Sequence, residues 1–101
     1  MLYLVLDGMV SGTGVRDAFE GGYLRLTSLG ISANLQERIS TWFSEYQALH
    51  FTGFSNTEEV ARLDAEGVAM VRQILAELPG SKVEYFSAAR MVKVPIPKET
   101  P

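Results

Sequence analysis

The first apolar run, Leu2 to Leu6, is continuous and ends at Asp7-Gly8. It is too short for a helix and suits a strand buried on both faces in the middle of a sheet. The next stretch, DGMVSGTGVRDAFEGG, carries Gly8, Gly12, Gly14, Gly21 and Gly22 and reads as a long glycine-rich loop over 7–22. Tyr23 to Thr27 (YLRLT) reads as a short second strand. From Ala33 to about Leu49 the pattern changes to helical spacing, with Leu35, Ile39, Trp42, Phe43, Tyr46 and Leu49 on one side and Ser32 as N-cap.

The longest periodic segment is Ser55 to Pro79. Val60, Leu63, Gly67, Val68, Val71, Ile74, Leu75 and Leu78 recur at three- and four-residue steps, which makes one apolar helix face. Ser55 and Asn56 each precede a glutamate by three residues, Glu58 and Glu59, and either pair can form a capping box. Pro79-Gly80 stops the helix. Between the helices, His50-Phe51-Thr52-Gly53-Phe54 is a link in which Phe51 and Phe54 are expected to fold back as a staple. Lys82 to Ser87 and Met91 to Ile96 read as closing strands, with Pro95 placing the last at an edge because proline cannot donate to a ladder. Residues 97–101 are expected to fray. The order β-(β)-α-α-β-β predicts an α+β fold in which a two-helix layer covers one face of a small mixed sheet.

Two residues break the pattern of the second helix. Gly67 sits within its apolar face, where glycine costs about 1 kcal/mol against alanine, so a close approach by the first helix or by the sheet is expected. Asp64 lies on the same side, between Val60 and Val68, and needs a partner if buried. Arg16, Arg25 and Arg90 are the cations available to it, and a structural role is the commoner explanation for such a residue.

Composition narrows the functional classes. At 101 residues and 47% hydrophobic, the chain reads as one globular domain over 1–101. Its net charge of -3 disfavours nucleic-acid binding and favours a basic partner. The absence of cysteine excludes thiol catalysis, disulfides and zinc–thiolate sites. No apolar run reaches membrane-span length, and MLYLVLDG lacks the basic flank of a signal peptide, so a cytoplasmic location is expected.

No catalytic signature stands out. The glycine-rich loop is not followed by Gly-Lys-Ser/Thr, so a phosphate-loop reading fails. His50 is the sole histidine and has no nucleophile or second metal ligand beside it in sequence. Asp7, Asp17 and Asp64 could meet as a metal-binding cluster, but nothing in their spacing demands it, loop aspartates more often cap turns, and no cofactor is implied. The stretch from Gly21 to Ser87 resembles small bacterial proteins of the toxin-immunity type, through Gly30-Ile31-Ser32, Trp42, Tyr46, Asp64, Glu66, Gly67, Glu77-Leu78-Pro79 and Val83-Glu84-Tyr85.

That resemblance implies a cognate protein toxin, basic where its substrate is polyanionic. It would be held by the acids of the helix faces: Glu37, Glu45, Glu58, Glu59, Glu66 and Glu77. The second reading is a small enzyme or ligand-binding protein using the Asp7–Gly22 loop as a lid over Asp7, Arg16, Asp17 and Asp64. The expected assembly is a monomer, or a weak homodimer paired through the edge strand Met91 to Ile96.

Overall fold

The computed structural model describes residues 1–96, so the expected frayed tail lies outside the described residues. The chain forms β1 (Tyr3–Asp7), β2 (Val15–Asp17), a short 3-10 turn (Leu26–Ser28), α1 (Ala33–Phe51), α2 (Thr57–Glu77), β3 (Lys82–Ser87) and β4 (Val92–Val94). The strands make one mixed sheet in the order β2-β1-β3-β4, and the helices lie on one of its faces. The α+β arrangement expected from the apolar pattern is the one observed.

β1 is central because it is apolar on both sides. Leu4 and Leu6 enter the core, and Val5 is buried on the opposite side of the strand. It pairs in parallel with β3, with Leu4 opposite Val83 and Leu6 opposite Tyr85, so these four side chains make the floor on which the helices rest. β4 pairs antiparallel with β3 and forms the far edge, but it spans only Val92–Val94 and not the expected Met91–Ile96, because Met91 turns with a positive φ of 56° and Pro95 has no N–H for the ladder.

The second strand is not where the sequence pattern put it. It is Val15–Asp17, inside the glycine-rich stretch, antiparallel to β1 with Val5 opposite Arg16. Tyr23 contributes only an isolated bridge to Arg16, and Leu26–Ser28 is a 3-10 turn. The reason is local: Gly14 (φ 106°) turns the chain so that its carbonyl accepts the Asp7 N–H at 2.9 Å, which aligns Val15 with Leu6.

Both helices begin as expected. The Ser32 hydroxyl accepts from the Leu35 N–H, and the Asn56 side chain accepts from the Glu59 N–H. α1 runs to Phe51, which is 91% exposed, so the staple is made by Phe54 alone; it packs half-buried against the core. Gly53 and Phe54 both take positive φ, and the chain reverses there too sharply for both rings to turn inward.

α2 buries Val60, Leu63, Asp64, Gly67, Met70, Val71 and Ile74. Gly67 faces the sheet, because an added Cβ would stand 2.1 Å from Cε1 of Tyr85. Trp42 closes the gap between the helices. Its indole N–H donates to the Leu63 carbonyl at 2.8 Å, and its ring meets those of Tyr46 and Tyr85.

Candidate functional site

Asp64 is buried at 5% exposure and fully engaged. Its Oδ1 accepts from the hydroxyls of Tyr46 (2.9 Å) and Tyr85 (2.6 Å), and its Oδ2 accepts from Ser87 Oγ at 2.8 Å. The Arg90 guanidinium stands 3.7 Å from Oδ2, so of the three arginines considered it is Arg90 that compensates the charge. Tyr46 also accepts the Ala89 N–H at 3.1 Å. One carboxylate thus joins α1, α2, β3 and the turn after β3. Burial, and next the bond to Asp64, push the Tyr85 hydroxyl far above its ordinary titration range, and burial also raises that of Tyr46. Both carboxylate oxygens are thus partnered by buried hydroxyls, as a charge in the core requires.

Of the residues of the lid reading, Asp7 and Arg16 meet, but Asp17 and Asp64 do not join them. Asp7 is buried, accepting from Tyr23 Oη at 2.6 Å and facing Arg16 Nε at 3.5 Å. Asp17 caps its own turn by accepting from the N–H groups of Phe19 and Glu20. Asp64 belongs to the core cluster just described. Among the described residues, no three acid or histidine side chains gather as a metal-holding group. His50 packs its ring on Phe54 and, with Gln47, holds the Gly8 carbonyl, so it braces the end of β1.

The candidate acids separate into two sets. Glu37 and Glu45 of α1 and Glu66 of α2 line one groove of about 420 Å³ between the outer surfaces of the helices, with Arg38, Thr41 and Arg62. Trp42 forms part of its wall while remaining 2% exposed. Arg38 donates to Glu66 at 2.6 Å and to Gln73 at 2.7 Å, and Arg62 donates to Glu45 at 2.7 Å. Both arginines therefore clamp α1 to α2. Arg62 also grips Glu59, which lowers the Glu59 carboxyl and raises the guanidinium. Glu37 makes no ion pair among the described residues.

Glu58 stands at the first turn of α2, where the helix dipole favours it. Glu77 serves as a clasp. It accepts from the Ser32 N–H at 2.5 Å and the Ser32 hydroxyl at 2.9 Å, and the first of these contacts holds its carboxyl below the usual range. This role could have been suspected from the complementarity of a serine N-cap and a glutamate at the opposite helix end, but not from spacing.

Charge is divided between the layers. The helices carry seven carboxylates against three arginines, whereas the described remainder has four carboxylates against five cations. On the sheet's uncovered side the cations are already engaged: Lys93 pairs with Glu84, Lys82 lies over the Tyr3 ring, and Arg16 faces Asp7. Lys93, then the Tyr3 hydroxyl, hold the Glu84 carboxyl low. None of the described helices is long and apolar enough to cross a membrane. The chain matches no protein-family model, no curated protein and no solved structure.

Proposed function

We propose that this chain is a protein-binding module of the immunity type, which docks a basic protein toxin on the outer face of its helix pair and covers the toxin's active site. The observation that carries the reading is the convergence of Glu37, Glu45 and Glu66, from two helices, on one groove in the negatively charged layer of the molecule. A nuclease-like toxin presents a cationic groove to its polyanionic substrate. An acidic face is steered to such a groove, and it competes there without any chemistry of its own. The ion pairs of Arg38 and Arg62 hold Glu66 and Glu45 in place, which lowers the ordering cost of docking.

The test is capture of the tagged chain from its native cell, with the protein encoded by the adjacent gene co-expressed. A stoichiometric basic partner whose toxicity disappears on co-expression is the expected result. Recovery of the chain alone, with the neighbour's effect on growth unchanged, would overturn the reading.

A further inference from the structure

A second concave surface lies on the other side of α1, and its chemistry is opposite. The cleft, about 440 Å³, is bounded by Gly12 and Thr13 of the glycine-rich stretch, Arg25 just before the 3-10 turn and Leu26 and Thr27 within it, and Gln36, Ser40 and Phe43 of α1. Helical geometry puts positions 36, 40 and 43 on one side of α1 and positions 37, 41 and 45 on the other. The cleft is therefore separate from the acidic groove, and a ligand here does not depend on the partner proposed above.

The distinctive feature is charge. In a chain of net charge -3, no acid lines this cleft, and the one charged group that does is Arg25. Arg25 was a possible counter-ion for Asp64, but Arg90 takes that place. Arg25 is exposed and makes no ion pair among the described residues. Thr27 and Ser40 bring exposed hydroxyls to the same space, and half-buried Leu26 and Phe43 supply apolar surface. A guanidinium beside hydroxyls and a ring is the recognition chemistry of an oxyanion attached to an apolar body.

The wall is also built in advance. Thr13 Oγ1 donates to the Leu24 carbonyl at 2.5 Å, and the Leu24 N–H donates to the Val15 carbonyl at 2.9 Å. Gly12 lies flat on the Tyr23 ring, where a Cβ would stand 2.6 Å from Cε1. These contacts set Gly12 and Thr13 as one side of the cleft.

We infer that the Arg25 cleft binds a small organic oxyanion, a phosphate monoester or a carboxylate with an apolar body, its anionic end on Arg25 and its apolar end against Leu26 and Phe43. The test is an amide-resolved NMR titration of the full chain at millimolar concentrations with phenyl phosphate, with phenylacetate, and with neutral benzyl alcohol. The expected result is saturable shifts confined to residues 12–13, 25–27 and 36–43 for one or both anions, but not for the alcohol. Whichever anion binds more tightly identifies the headgroup class.

Arg25→Ala should weaken that binding about ten-fold or more, the effect of losing one charge-assisted pair. Arg25→Lys should fall between the two, since it keeps the charge and loses the fork. Both variants alter an exposed side chain, so an unchanged spectrum elsewhere will report an intact fold. The inference is overturned if neither anion shifts these amides, if benzyl alcohol binds as well as the anions, or if Arg25→Ala leaves the affinity unchanged.

Discussion

Gly67 is pressed against the face of Tyr85. A Cβ built on Gly67 would lie 2.1 Å from Cε1 and 2.6 Å from Cζ of the ring, which is itself fully buried. Gly67→Ala should therefore destabilise the fold, although alanine is the better helix former by about 1 kcal/mol. Overpacking a filled core costs about 1–3 kcal/mol, and the Tyr85 ring cannot retreat without breaking its bond to Asp64. At exposed Ala61 on the same helix the sign reverses: Ala61→Gly removes a Cβ that touches nothing in the core and costs about 1 kcal/mol. Urea denaturation of the two variants separates the effects. A Gly67→Ala protein as stable as the parent would show that the helix can move off the sheet.

Among the described residues, Asp64 is the sole carboxylate acceptor for the hydroxyls of Tyr46, Tyr85 and Ser87. Asp64→Ala leaves those hydroxyls facing a void and should cost about 3 kcal/mol or more, since each orphaned buried donor costs about 1–3 kcal/mol. Asp64→Asn should cost less. Its amide oxygen can still accept from both tyrosines, and its NH2 can donate to Ser87, so what is lost is the charge facing Arg90. Denaturation midpoints should follow the order parent, Asp64→Asn, Asp64→Ala. The reverse order for the two variants would mean that the buried charge itself opposes folding.

The tyrosines predict alkaline behaviour. Burial raises the hydroxyls of Tyr23, Tyr46 and Tyr85, with Asp7 and Asp64 adding to the effect at Tyr23 and Tyr85. In the unfolded chain these groups titrate near pH 10. Their stabilising contribution is therefore complete below about pH 10. Above it the unfolded state releases protons that the folded state keeps, so stability falls as pH rises. Phenolate absorbance should reveal protected tyrosines that ionise only as the chain unfolds. Tyr85→Phe should flatten the decline of stability above pH 10, whatever its effect at neutral pH. An equally steep decline in that variant would place the alkaline sensitivity elsewhere.

Much of the fold is legible in local pattern. An apolar run unbroken from Leu2 to Leu6 implies a central strand, and capping side chains mark both helix starts. Gly67 and Asp64 stood out as breaks in a periodic face, and both proved to be points where α2 meets β3. What remained hidden depends on partners distant in sequence. Val15–Asp17 holds one buried residue and shows no alternation; it is a strand because β1 offers it a ladder. Nothing local tells Phe51 from Phe54, because the backbone turn at Gly53 decides which ring faces inward. Glu77 looked like one more surface acid, and only the arrival of Ser32 from the other helix makes it a clasp. The cleft at Arg25 is assembled from three segments, none of which carries its signature alone.

The division among the acids leads to a further prediction. Reversing Glu37, Glu45 and Glu66 together to lysine changes groove residues that are at least partly exposed, at a stability cost of about 0.2–1 kcal/mol for each of the two ion pairs lost. The triple variant should fold and should associate with the basic partner about ten-fold more slowly or worse at low ionic strength. Because steering acts through solvent, the difference should shrink as added salt shortens the screening length towards about 3 Å near 1 M. Glu58→Lys, outside the groove, should leave association nearly unchanged. Glu77→Gln should act differently again, weakening the clasp on Ser32 and loosening the helix ends without altering the association rate. Stopped-flow association rates against salt, measured alongside denaturation midpoints, distinguish these cases. Equal rates for the parent and the triple variant would remove the acidic groove from the interface.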